Sequence, residues 1–370
     1  MTYTVLACGS NGNFQLGIDN NEDQSVLKPV LFEINGELTS QLHVKPIKIS
    51  SGGNHTLILL ENGEVYSSGD NTHGQCGHAI SSTNFPVFSQ IIESNWKDIS
   101  CGWEFSILVN EDNEIYICGR GLKGELGLGK NVTESEFTLL PVDIEEEYQI
   151  IEVQSSLDST VVRLDKNRLL GWGNARKGQL GKQELLLNNK LEASLWHPRL
   201  LNFDVPSGAE FTYSLGRDYS VFYVNSETNT RDIKVFGKQI AGQLKESTSQ
   251  IVNVKSMWSS VHEIVKSIDN QYTIESYGNN SHGQLYQTIE NHPNILAIEF
   301  AIGSEHGLLL SPNNEVYAWG WGEHGNCGVQ KKQKIESETV TFDYLNLLYN
   351  GQSKVILIHG GCATSWVVVE

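Results

Sequence analysis

The sequence predicts an all-β fold, a seven-bladed β-propeller built as a single domain over residues 1–370. Three observations predict it. A glycine-rich turn motif occurs seven times, a second strand-forming motif alternates with it seven times, and most copies of the second are followed by a hairpin signal. A unit of a few short strands cannot bury its apolar face alone, whereas units arranged radially bury one another. Composition agrees: 39% of residues are hydrophobic, and 35 glycines stand against 8 prolines, which suits a sizeable core joined by many tight turns.

The turn motif reads G-x-x-x-x-G-Q-L-G. Its copies begin at Gly9 (GSNGNFQLG), Gly69 (GDNTHGQCG), Gly119 (GRGLKGELG) and Gly173 (GNARKGQLG), then at Gly237 (GKQIAGQLK), Gly278 (GNNSHGQLY) and Gly320 (GWGEHGNCG), spaced by 41 to 64 residues. The second motif reads SSGGNHTLIL from Ser50, SCGWEFSILV from Ser100, QSSLDSTVVR from Gln154 and SLGRDYSVFY from Ser214. It recurs as KSMWSSVHEI from Lys255, AIGSEHGLLL from Ala301 and HGGCATSWVV from His359. Hairpin turns are expected at Glu61-Asn-Gly63, Glu111-Asp-Asn113, Asp165-Lys-Asn167 and Pro312-Asn-Asn314, because Asn, Asp and Gly tolerate positive φ. The chain starts with YTVLACG, the strand entering the first turn motif, and ends on the seventh second motif. One blade is therefore expected to be closed by both termini.

The repeat disposes of two chemical readings. Gly320-Trp-Gly-Glu-His-Gly325 matches the G-x-G-x-x-G spacing of a dinucleotide-binding turn, as does Gly119-Arg-Gly-Leu-Lys-Gly124. That fingerprint needs a following helix and a parallel strand about thirty residues on, and here the glycines lead into a polar loop. His324 and Cys327 sit three apart as zinc ligands would. Yet Cys76 and Cys327 occupy the slot held elsewhere by Leu, and His73, His282 and His324 share a slot with Asn13, Lys123, Lys177 and Ala241. The cysteines read as core and the histidines as solvated turn, so no cofactor and no metal site is expected. The six cysteines form no C-x-x-C pair and read as small buried groups in a reducing compartment. A formal net charge of −18 repels phosphate backbones, and the basic cluster Lys331-Lys332-Gln-Lys334 is brief; direct nucleic-acid binding is not expected. Neither a membrane span nor a signal peptide is expected.

Alternating Gly-Gln-Leu-Gly turns and Gly-x-x-His-Ser/Thr strands resemble the regulator-of-chromosome-condensation repeat, a seven-bladed propeller family, over essentially the whole chain. The stretches ISSGGNHT, ISCGWEFS, MWSSVH, IGSEHG, WGWGEHGNCG and GGCATSWVVV further resemble the fungal family of α-tubulin suppressor, or killer-toxin-insensitivity, proteins. This resemblance implies a heterodimer with a small metal-binding protein of diphthamide synthesis, a zinc-ribbon, iron-carrying electron donor. It implies a role in diphthamide synthesis on elongation factor two and in Elongator-dependent tRNA wobble-uridine modification, with Elongator as a further partner. The implied location is the cytoplasm, with the nucleus as a second compartment. The stretch 182–210 matches nothing in that family.

Equivalent slots in the copies face alike, so an odd residue in a slot wants an explanation. The slot before the first turn glycine is mostly apolar, which makes Trp172 and Trp319 core. The slot after it holds Ser10, Asp70, Arg120, Asn174, Lys238 and Asn279, then Trp321. In the second motif, Trp103 and Trp258 share a slot with Gly53, Leu157, Arg217, Ser304 and Cys362, and the next slot is acidic in Glu104, Asp158, Asp218 and Glu305. These turns are expected round one mouth of the propeller, where loops carry binding function. The expected partner-binding residues are Trp103, Trp258 with its neighbour His262 (placed off the repeat register), and Trp321, with Glu104 and Glu305 as a polar rim. Such a chain reads as a non-catalytic interaction module; the alternative is a guanine-nucleotide exchange factor or scaffold for a small GTPase. No nucleophile elbow, H-E-x-x-H or P-loop is present, so an enzyme is not expected. Elemental analysis of purified protein is expected to find no stoichiometric zinc, and Cys76→Ala combined with Cys327→Ala is expected to lower stability without changing metal content.

Overall fold

The computed structural model describes all residues except 92–94, 182–191, 206–208, 225–231, 241, 243–249, 267–271, 290–296 and 331–339. The basic cluster at 331–334 and much of the unmatched stretch 182–210 lie outside the described residues. Within that stretch, Ser194–Leu200 is the outer strand of its blade, paired with Leu169–Asn174.

Seven sheets form among the described residues, antiparallel but for one added strand, and no α-helix. The first blade runs Pro46–Ser51, His55–Leu60, Val65–Asp70 and Asn84–Gln90, ordered from the axis outwards. The next five span 96–139, 150–200, 211–237, 250–278 and 299–349. In the seventh, Thr4–Gly9 lies between Gln24–Pro29 and Thr364–Val369, with Val355–Gly360 innermost. Thr4 faces Val369 and Gly9 faces Thr364, so both termini close this blade as the motif order predicts. A hairpin of Phe32–Ile34 and Glu37–Thr39 adds to the first blade, its first strand running parallel to Asn84–Gln90; nothing in the repeat signals it. The hairpin signals hold, with Gly63, Asn113, Asn167 and Asn314 all at positive φ.

The second strand of each blade is the core: every residue of His55–Leu60 and of Thr364–Val369 is buried. Trp172 and Trp319 are fully buried as expected, and each bonds the preceding blade. Trp172 Nε1 donates to the Glu125 carbonyl at 2.7 Å and Trp319 Nε1 to that of Gln284 at 3.0 Å. Cys76 and Cys327 are fully buried in the Leu slot. His55 and His306 bond across a blade boundary. They do not bond within their own blades: His55 Nε2 reaches Ser106 Oγ at 2.8 Å and His306 Nε2 reaches Ser365 Oγ at 3.0 Å, each on the next blade. Tyr219, in the same slot, likewise donates to the carbonyls of Met257 and Ser260. The slot faces the neighbouring blade, so a polar ring there finds its side-chain partner across the interface rather than along the strand, through one ring nitrogen in each histidine.

The closure predicts the outcome of a truncation. Deleting residues 361–370 removes Trp366, Val367 and Val368, all fully buried, and strips Thr4–Gly9 of its partner strand. Losing one large core residue costs about 3–5 kcal/mol, comparable with the stability of many domains. The truncated chain is expected to be insoluble or molten; unchanged cooperative melting in circular dichroism would refute the closure.

Candidate functional site

The site is built from the turns that end each inner strand. These turns are stitched to one another by backbone hydrogen bonds around the axis. The Gly53 N–H donates to the Trp103 carbonyl at 2.9 Å, and the Trp103 N–H to that of Leu157 at 2.9 Å. On the far side, the Arg217 N–H donates to Trp258 O, the Trp258 N–H to Ser304 O at 2.7 Å, and the Ser304 N–H to Gly361 O. A second ring lies beneath, where the Ser50, Ser100 and Ser214 hydroxyls accept from the N–H groups of Cys101, Ser155 and Ser256 on the next blades. With their peptide groups engaged, Trp103 and Trp258 are left to project their rings.

The two rings meet although their blades are three places apart in the ring, with centroids 5.8 Å apart and planes at 54°. Trp103 is 40% exposed and Trp258 half-buried. Trp321 joins them. Its N–H donates to the Glu305 carbonyl at 2.9 Å, which ties its turn to the second-motif turn of its own blade, and His282 of the preceding blade stacks on its ring at 4.4 Å. The three indoles wall a pocket of about 190 Å³ that Glu305, Glu323 and Cys362 complete. Glu323 and Cys362 were not singled out by slot comparison: Glu323 lies in a slot with no common type, and Cys362 shares its slot with Trp103 and Trp258 but is small.

The carboxylates are less alike than their shared slot suggests. Asp158 is buried rather than solvated: it holds Lys123 Nζ at 2.7 Å and Asn174 Nδ2 at 2.8 Å. Glu104 lies 3.9 Å from the Arg120 guanidinium and is not on the pocket wall. Glu305 is. Its Oε2 accepts from Ser259 Oγ at 2.8 Å and Gln284 Nε2 at 3.1 Å, and burial pushes its pKa up against those two bonds.

His262 is a correction. It is fully buried on Ser260–Lys266, bridging Ser260 Oγ at 3.0 Å and Ser276 Oγ at 2.8 Å, and reaches no surface. The repeat already contained the reason. Two residues beyond the interface slot, the other copies carry Leu57, Ile107, Val161, Val221, Leu308 and Trp366, all fully buried. His262 is in register, at a core position, and two serines satisfy it there. The turn histidines are partly exposed, as expected of a solvated turn, and two of them also meet a carboxylate: His324 Nδ1 lies 2.7 Å from Asp23, and His73 Nδ1 3.3 Å from Glu134. Among the described residues no group of three or more His, Cys, Asp or Glu is placed to hold a metal ion.

Seven blades, closed by both termini and carrying a side-chain cluster at one mouth, define a propeller of repeated Gly-turn units. The RCC1-like domain profile matches residues 4–367, and the chain belongs to that family. It is similar to the RCC1 repeat-containing protein C10F6.04 of Schizosaccharomyces pombe, at 28% identity over 99% of both chains. It is also similar to the secretion-regulating guanine nucleotide exchange factor of Mus musculus, at 24% identity over 99% of this chain and 83% of that one. Among solved structures it resembles Prp20p of Saccharomyces cerevisiae, with a TM-score of 0.74 and 16% identity over 100% of this chain and 92% of that one; at that identity the likeness concerns the fold.

Buried histidines make this framework sensitive to acid. Burial lowers the pKa of His55 and His306 to about 4, and of His262 and His359 to about 3, from the ordinary 6.5. Below pH 6.5 the unfolded chain takes up protons that the folded chain refuses. The stability these rings allow is therefore full above that pH and declines as pH falls towards about 4, by up to about 1.4 kcal/mol per ring per pH unit. Glu125, Glu299 and Glu305, raised by burial, act in the opposite sense. Urea melts between pH 7 and pH 5 are expected to show falling stability, and His262→Gln to reduce the slope by about one proton. An unchanged slope in that variant would contradict the neutral, buried state of His262.

Proposed function

We propose that this chain is a non-catalytic interaction propeller whose tryptophan-walled mouth binds the small zinc-ribbon, iron-carrying electron-donor protein of diphthamide synthesis. In this reading the heterodimer supports modification of elongation factor two and Elongator-dependent modification of wobble uridine in tRNA. The observation that carries the interaction reading is the convergence of Trp103, Trp258 and Trp321, from three different blades, on one pocket. Exposed tryptophans cost solubility, whereas tryptophans at an interface centre rank among the largest contributors to binding. The identity of the partner rests on the resemblance of the sequence segments that include these residues. Glu305 lies on the pocket wall, and Glu104 belongs further out with Arg120.

A second reading, an exchange factor or scaffold for a small GTPase, is favoured by the relative named as a guanine nucleotide exchange factor. Calorimetric titration separates the two. Trp103→Ala and Trp258→Ala are each expected to weaken association with the diphthamide metal protein by roughly tenfold to a hundredfold. Melting temperatures are expected to change little, since both rings lie outside the blade cores. Full-strength binding by both variants would move the interface elsewhere. Binding to a nucleotide-free GTPase, with none to the metal protein, would favour the second reading.

A further inference from the structure

The pocket is too small for a ligand of ordinary size. Small-molecule sites occupy roughly 300–1,000 Å³, and this one holds about 190 Å³, room for about one side chain. Its chemistry is equally selective. Three indoles present their faces or edges to one space, and two carboxylates, Glu305 and Glu323, stand at its wall. Aromatic faces carry negative potential and attract cations, most strongly when the site is partly desolvated.

The carboxylates are not used up within the chain. Both hydrogen bonds to Glu305 fall on Oε2, so Oε1 has no hydrogen-bond partner among the described residues. Arg217 and His282 act on Glu305 electrostatically, but neither forms an ion pair with it among the described residues. Glu323 is exposed and also without an ion-pair partner among them. The pocket's own basic residue, His324, is turned to Asp23. A half-buried carboxylate with an open oxygen, an exposed one on the same pocket wall and three indole rings form a cation box.

We propose that this pocket receives one lysine or arginine side chain of the protein partner, its charged head between the indoles and Glu305–Glu323. The inference deepens the interaction reading above and rests on it. A basic protein segment is the occupant that charge complementarity selects, because the chain carries a formal net charge of −18 and its mouth adds to that sign. An apolar anchor such as leucine would leave the Glu305 carboxylate desolvated and unpaired, which is costly.

The test uses the full chain and observes the indole N–H signals of Trp103, Trp258 and Trp321 by NMR, assigned with single Trp→Phe variants. The probes are Nα-acetyl-lysine amide and Nα-acetyl-norleucine amide, which share an alkyl chain and differ in the ammonium. The lysine probe is expected to shift the three signals at least about threefold more than the norleucine probe. The double variant Glu305→Gln with Glu323→Gln is expected to abolish the difference while its melting curve stays in place, since an amide at 305 still accepts from Ser259. Equal shifts from the two probes, no shift from either, or a lysine preference that survives the double variant would each overturn the box. Calorimetry with the diphthamide metal protein separates this from the partner assignment. If lysine is preferred and that protein does not bind, the box stands and the partner is a different protein that presents a lysine or arginine. If that protein binds wild type and double variant equally and lysine is not preferred, the box falls and the partner assignment stands.

Discussion

The rest of the molecule depends on one contact, repeated in every blade. The first glycine of the turn motif lies against the turn of the second motif, and the following N–H donates to a carbonyl there. Ser10, Asp70, Arg120, Asn174, Lys238, Asn279 and Trp321 donate to Ala363, Asn54, Glu104, Asp158, Asp218, Ser259 and Glu305, at 2.7 to 3.0 Å. The glycines themselves sit at φ between +93° and +122°, and a Cβ added to any of them would fall 2.2 to 2.7 Å from that same carbonyl oxygen. Two constraints therefore meet at one atom: a backbone region that L side chains avoid, and a space that no side chain fits. This is why seven otherwise diverged copies keep glycine there. The β-pairing has the same register throughout, each of these glycines facing the interface slot of its own blade.

The same contact builds the tryptophan-walled mouth. By locking the third strand onto the turn of the second motif, it carries whatever follows the glycine to the axial end of the blade. In six blades that residue is polar. In the sixth blade it is Trp321, and the lock delivers its ring beside Glu305 and within reach of Trp103 and Trp258. The two half-motifs are thus one structural unit rather than two alternating ones. A residue that is odd in one half-motif must be weighed with the residues of the other.

That coupling marks the limit of what the sequence made legible. Blade number, termini-shared closure, hairpin turns and the core places of Trp172, Trp319, Cys76 and Cys327 all follow from comparing copies, because each is fixed by a local period. What crosses between blades was not legible from one blade's period. His55 and His306 bond the next blade, and the Trp103–Trp258 contact joins blades three places apart. His262 failed for a different reason: it was placed off the repeat register, although its slot, apolar in the six other copies, was available for comparison. Ser260 and Ser276 supply the two hydrogen bonds that make a neutral imidazole tolerable there. The parallel hairpin at 32–39 interrupts the repeat and had no second copy to be compared with.

Placing the site on rigid backbone has energetic consequences for any partner. Trp103 and Trp258 each both donate and accept a peptide hydrogen bond across blade boundaries, and Trp321 is pinned by its own N–H and by the His282 ring. The turns that carry the rings are thus ordered in advance, and the Trp103–Trp258 and His282–Trp321 ring contacts already restrict the indoles, which reduces an ordering cost that commonly runs to about 0.5–1.5 kcal/mol per immobilised side chain. An acidic chain with its aromatic cluster at an acidic mouth also favours encounter with basic partners and disfavours polyanions. Rigidity sets how long a partner stays, and charge sets how fast it arrives. A propeller whose blades are joined by backbone at the mouth supplies the first from its fold, and leaves the second to the few exposed slots where the copies differ.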